Sequence, residues 1–104
     1  MSEPNDVANV LQGLGNSADE VATALKVAGT RGVRNTVRLL NPIVRFVEAQ
    51  VRDTWNLNII SGDTLSMNFR SGGKGKVALP EAVKQFLHAF NHGAYAELEL
   101  PIEH

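Results

Sequence analysis

The chain has 104 residues, of which 43% are hydrophobic and 20% charged, enough for one hydrophobic core and too few for two ordinary domains. It contains no cysteine, which excludes a disulfide scaffold, a thiolate nucleophile and Cys-ligated zinc or iron–sulfur centres, and fits a reducing compartment. The formal net charge of -1 hides an uneven distribution. Residues 1–25 carry Glu3, Asp6, Asp19 and Glu20 and no base, whereas residues 26–76 carry nine of the ten bases against Glu48, Asp53 and Asp63, a balance of +6. Residues 77–104 carry Lys84 against Glu81, Glu97, Glu99 and Glu103. A basic centre is thus flanked by acidic ends.

The polar, acidic start from Met1 to Asp6 lacks the basic and apolar regions of a secretory signal. No apolar run approaches the roughly 18 residues of a membrane span, so a cytoplasmic location away from membranes is expected. Residues 1–4 and 101–104 are expected to be flexible ends of a single domain.

Val7, Val10, Leu11 and Leu14 recur at helical spacing before Gly15, which predicts a short amphipathic helix over 5–14. Ser17 and Glu20 form a capping box, in which the hydroxyl accepts the Glu20 amide and the carboxylate reaches back to the Ser17 amide. The helix so started runs through Val21, Ala22, Leu25 and Ala28 to Gly29, a suitable left-handed terminator. Between Val33 and Val51, the residues Val37, Leu39, Leu40, Ile43, Val44, Phe46 and Val47 make a wide apolar stripe that predicts a buried core helix. Asn41-Pro42 breaks it, as N-cap and first residue of a fresh helix extending to about Asp53, or kinks it.

The period then changes to 2. Trp55, Leu57 and Ile59 alternate with Asn56 and Asn58, and Leu65, Met67 and Phe69 alternate with Ser66 and Asn68, around a Ser61-Gly62-Asp63 turn. This predicts a hairpin with one buried face. The stretch 71–76, with three glycines and two lysines, reads as a mobile, solvated loop, followed by a third strand over 77–79. Pro80-Glu81 opens a helix whose Val83, Phe86, Leu87 and Phe90 form a stripe expected to pack on the sheet, ending at His92-Gly93. Alternation over 94–100 predicts a final half-buried strand stopped by Pro101. The fold class is therefore α+β, with N-terminal helices, a small, mainly antiparallel sheet of three to four strands, and one further helix packed on it.

Arg31, Arg38, Arg45 and Arg52 are spaced by seven residues, which on a continuous helix returns to within about 20° of one direction. Four guanidiniums on one face would grip phosphates or carboxylates. Against this, Pro42 interrupts the stripe and Glu48 stands at pairing distance from Arg45 and Arg52. A helix-turn-helix with Gly29 in the turn and Arg31, Arg34, Asn35 and Arg38 facing DNA fits badly, because apolar packing positions would fall on Asn35 and Arg38. The sequence pI of about 6.3 also lacks the footprint of a free-standing DNA binder.

Gly72-Gly73-Lys74-Gly75-Lys76 has no Ser or Thr after the lysine and precedes a strand signal, so it is no nucleotide-phosphate loop. His88 and His92 stand at i and i+4, a candidate metal pair short of a third ligand. No serine or histidine belongs to a nucleophile–base–orienter set, and Glu97 and Glu99 are explained as the polar side of a strand.

The sequence thus predicts a non-enzymatic interaction domain without a cofactor. Its basic face would comprise Arg31, Arg34, Arg38, Arg45, Arg52, Lys74 and Lys76, set against an acidic protein partner or another copy of the chain. Tyr95, Glu97 and Glu99 would offer a second surface, along a strand edge suited to self-association. The alternative is accessory nucleic-acid binding through the Arg stripe and the Gly/Lys loop.

Overall fold

In the computed structural model, which describes residues 3–100, the helix starts follow from local chemistry. The first helix, α1 (Pro4–Gln12), opens with Pro at its first position, and the Glu3 amide donates to Asp6 Oδ2 at 2.8 Å. Pro4, expected to belong to a flexible end, is thus the first residue of a helix; the expected tail over 101–104 lies outside the described residues. Helix α2 (Ala18–Ala28) is capped by Ser17, whose Oγ accepts the Glu20 amide at 3.2 Å. The box is not reciprocal in the expected way, since the Glu20 carboxylate accepts the amide of Asn16, at 3.1 Å. Gly29 closes α2 at φ 71°, with Thr30 N–H returning to the Leu25 carbonyl at 2.9 Å and the terminal carbonyls thereby satisfied.

Helix α3 (Pro42–Gln50) starts as the sequence predicts. Asn41, buried, accepts the amides of Ile43 and Val44 at 2.9 and 3.2 Å. It ends at Val51 rather than near Asp53. Three antiparallel strands follow in the order β1 (Thr54–Ile60), β2 (Thr64–Phe69) and β3 (Lys74–Ala78), then helix α4 (Glu81–Asn91) and a single 3-10 turn, Ala96–Leu98. The architecture is the α+β class expected, with three strands.

The sheet has one buried face. Ile59, Leu65 and Val77 form one cross-strand row on it and Thr54 and Phe69 another, by register. Helix α1 lies against β3, α3 against β1, and α2 and α4 pack on each other. Gly75 admits α1, because a Cβ there would stand within 2.4 Å of Pro4 Cγ. The α4 stripe, Val83, Phe86, Leu87 and Phe90, joins Val7, Leu11, Leu25, Ile43, Leu57 and Leu65 in one core cluster. At about 25 cal/mol per Å² of apolar surface removed from water, this cluster dominates the folding free energy.

Four expectations are corrected. Residues 33–40 are not a core helix: Val37 and Leu40 are about half exposed and Leu39 is 67% exposed. Asn35 takes a positive φ of 60°, and the segment is instead an ordered loop closed by Val33 N–H to Leu40 O at 2.7 Å. Asn41 Nδ2 to Thr36 O at 2.8 Å ties it to α3, and Asn35 N–H to Asn91 Oδ1 at 2.9 Å ties it to α4. Ile59 N–H donates to Val37 O at 2.8 Å, so the loop covers the outer edge of β1.

Secondly, Trp55 does not share the inner face with Leu57 and Ile59. A bulge between Trp55 and Asn58, with Asn56 at φ 53°, inserts one extra residue and places Thr54 inward and Trp55 outward. Thirdly, Lys74, Gly75 and Lys76 belong to β3 rather than to a mobile loop, because their backbones pair with Asn68, Met67 and Ser66. Finally, 94–100 forms no strand; an isolated parallel bridge joins Gly32 to Glu99, and the backbone there turns through Ala96–Leu98.

A cationic face on the outer side of the sheet

Residues directly opposite one another on antiparallel strands point to the same face. Trp55, Asn68 and Lys74 therefore form one outward row, Asn58, Ser66 and Lys76 the next, and Ile60, Thr64 and Ala78 the last. The ordered loop adds Arg38, whose Nη2 donates to Asn56 Oδ1 at 2.7 Å. That bond uses the bulge residue as an anchor and holds the guanidinium over the sheet.

The result is a concavity of about 510 Å³ lined by Arg38, Lys74 and Lys76, by Asn56, Asn58, Asn68 and Ser66, and by Ile60, Met67 and Gly75. Among the described residues no carboxylate lines it. Three cations gathered on one surface without a neutralising acid create a positive potential that is strongest at low ionic strength. The amides and the hydroxyl offer both donors and acceptors beside them. Ser66 Oγ donates to the Asn58 carbonyl at 3.3 Å, while Asn58 Oδ1 is buried and has no partner among the described residues. Trp55, 46% exposed, flanks the concavity beside its register partner Asn68 and its chain neighbour Asn56, both of which line it.

Of the seven bases expected to form a binding face, the structure brings Arg38, Lys74 and Lys76 together. Arg34 is taken up internally, its Nε 2.9 Å from Glu99 Oε1. Arg31 lies elsewhere, lining a small cavity with Lys26 and Glu97. Arg45 is exposed on α3 and Arg52 lies in the turn before β1; neither lines the concavity. The seven-residue spacing thus has no structural meaning, since the segment holding Arg31, Arg34 and Arg38 is not helical. The same fact removes the helix-turn-helix arrangement.

The expected second surface is largely consumed as well. Tyr95 stacks on Phe86 with ring centroids 5.2 Å apart and donates its hydroxyl to Asp19 Oδ1 at 2.7 Å. That hydrogen bond, helped by burial and by the Asp19 charge, pushes the phenol up to about 12. Glu99 is held by Arg34, which leaves Glu97 exposed on the 3-10 turn. His88 and His92 stand with ring centroids 4.5 Å apart, but His92 Nδ1 is engaged with the His88 carbonyl at 2.7 Å. No group of three metal-ligating His, Asp or Glu side chains forms among the described residues, and no helix among them is long and apolar enough to cross a membrane.

Sequence reasoning missed Trp55, Asn56, Asn58, Ser66 and Asn68 as site residues. The signal was present in the hairpin strands, whose outward polar positions are amides and hydroxyls with no acid among them. No protein-family model, curated protein or solved structure matches this chain.

Proposed function

We propose that this chain is a non-enzymatic binding domain that receives a polyanion on the outer face of its sheet. The observation that supports this reading is the convergence of Arg38, Lys74 and Lys76, with amides between them, on a concavity that no carboxylate of the described residues lines. Lys74 and Lys76 extend from a paired strand and Arg38 is anchored by Asn56, so part of the ordering cost of binding is met before the ligand arrives. Each cation that neutralises a ligand charge releases counterions, which makes affinity fall as salt rises.

The test is fluorescence anisotropy against a labelled heparin fragment and labelled oligonucleotides over a salt series. The expected result is binding that weakens linearly in log–log form with salt, and a Lys74→Glu/Lys76→Glu variant that loses at least tenfold in affinity. The variant Arg45→Glu/Arg52→Glu changes net charge equally but lies off the concavity, and it should bind almost as the parent does. Equal loss in both double variants would reduce the effect to net charge and overturn the reading.

A second reading, self-association, is favoured by one observation: Val37, Leu39 and Leu40 are held outward by an ordered loop rather than buried. A second copy would cover this apolar patch. Light scattering of the parent and of Leu39→Glu tests it, with a dimer lost on substitution expected and a monomer at all concentrations refuting it.

A further inference from the structure

Resting on the polyanion reading, we infer that the ligand of the sheet face is a single-stranded nucleic acid, one base of which stacks on the Trp55 indole while the phosphates run along Lys74 and Lys76. The outward row Trp55–Asn68–Lys74 sets an aromatic plane and a cation on opposite edges of the sheet, about 10 Å apart at two strand spacings. Lys74 and Lys76 are two residues apart on β3, so their positions repeat after about 7 Å along the strand, a spacing on which an extended phosphate backbone can be followed.

The chemistry of the face selects among polyanions. An acidic peptide needs cations alone, and a sulfated sugar can lay a C–H face on an indole but has no flat base with hydrogen-bonding edges to match the amides. A nucleic-acid strand presents flat base faces and base edges as well as phosphates. An exposed indole is worth roughly 1–3 kcal/mol per stacked base and tolerates any base. The Asn68 amide supplies a donor and an acceptor, Asn56 Nδ2 a further donor and Ser66 Oγ a further acceptor, the mixed groups that base edges require. In a duplex those faces are already stacked on each other, and freeing one for the indole costs unstacking energy. An unpaired strand is the polyanion that uses both halves of the row.

Trp55 is the chain's single tryptophan, so its emission reports on this position alone. Titration of the protein with a ten-nucleotide oligothymidylate is expected to quench that emission with the same salt dependence as binding by anisotropy. Trp55→Leu should weaken binding roughly 5- to 150-fold, and Trp55→Phe should recover much of the loss. An equal-length duplex, heparin and polyglutamate should each bind more weakly than the single strand. If Trp55→Leu leaves affinity intact and the parent shows no quenching, while Lys74→Glu/Lys76→Glu still abolishes binding, the nucleic-acid inference fails and the polyanion reading stands. Tighter binding of duplex, heparin or polyglutamate likewise overturns the strand as ligand. If the lysine variant binds every probe as the parent does, both readings fall together. Circular dichroism of Trp55→Leu verifies the fold, and the quenching of the unaltered protein decides the matter independently of any variant.

Discussion

Replacing Asn41 by alanine removes a side chain that performs two tasks at once. Its Oδ1 accepts the amides of Ile43 and Val44, at 2.9 and 3.2 Å, and its Nδ2 donates to the Thr36 carbonyl at 2.8 Å. The residue is only 2% exposed, so water reaches the abandoned groups poorly. Loss of an N-cap costs about 1 kcal/mol, and a stranded buried polar group costs a further 1–3 kcal/mol, which together give roughly 2–4 kcal/mol. With a urea m-value of about 2 kcal/mol/M, the unfolding midpoint should fall by about 1–2 M. Serine at this position keeps an oxygen for the cap and loses the bond to Thr36, so its midpoint should lie between those of alanine and the parent. The assay is urea unfolding followed by circular dichroism. An alanine variant within about 0.5 kcal/mol of the parent, the range of an ordinary surface change, would refute the dual role, as would a serine variant no better than alanine. Because the same bond ties the loop that carries Arg38, the alanine variant should also bind a polyanion more weakly when studied well below its unfolding transition.

Three further substitutions separate packing from electrostatics. Gly32→Ala would bring a Cβ within 2.5 Å of Pro42 and 2.7 Å of the Leu40 carbonyl, whereas Gly75→Ala meets the ring of Pro4 at the start of α1. The first collides with backbone held in a closed loop and should cost roughly 3 kcal/mol or more, the second about 1–2 kcal/mol, as α1 can slide; thermal melts that reverse this order would disprove the assignment. Tyr95→Phe removes the hydroxyl bonded to Asp19. Since the phenol titrates near 12 in the folded chain and near 10 in an unfolded one, its contribution is complete below about pH 10 and lost as pH rises through 12. The stability gap between parent and Tyr95→Phe should therefore close over that window, and a gap constant from pH 8 to 12 would contradict the hydrogen bond.

The sequence was most legible where a local rule decides the structure. Ser17, Gly29 and Asn41 mark helix ends by chemistry confined to a few residues, and all three stand where expected. The α4 stripe was legible for the same reason, because Val83, Phe86, Leu87 and Phe90 repeat without interruption. Where partners distant in sequence decide, the reading failed. Val37, Leu39 and Leu40 imitate a helix stripe, yet the loop is fixed by Asn91, by Ile59 and by the approach of Gly32 to Pro42. Lys74 and Lys76 carry the composition of a loop, yet β2 imposes a strand on them. The alternation from Ala94 to Leu100 finds no neighbouring strand to pair with and curls into a turn. The basic balance of the middle segment was visible, but which cations meet depended on the fold.

The bulge at Asn56 has a consequence for how such a surface can arise. With strict alternation from Leu57 backwards, the indole would lie in the core and Thr54 outside; the one additional backbone residue exchanges them. The aromatic character of the outer face is therefore set, for a chain of this length, by the bulge at one point in β1 rather than by the choice of side chain. A chain lacking Asn56 would need no bulge and would keep Trp55 outward and Thr54 inward, but it would lose the side chain that anchors Arg38 over the sheet.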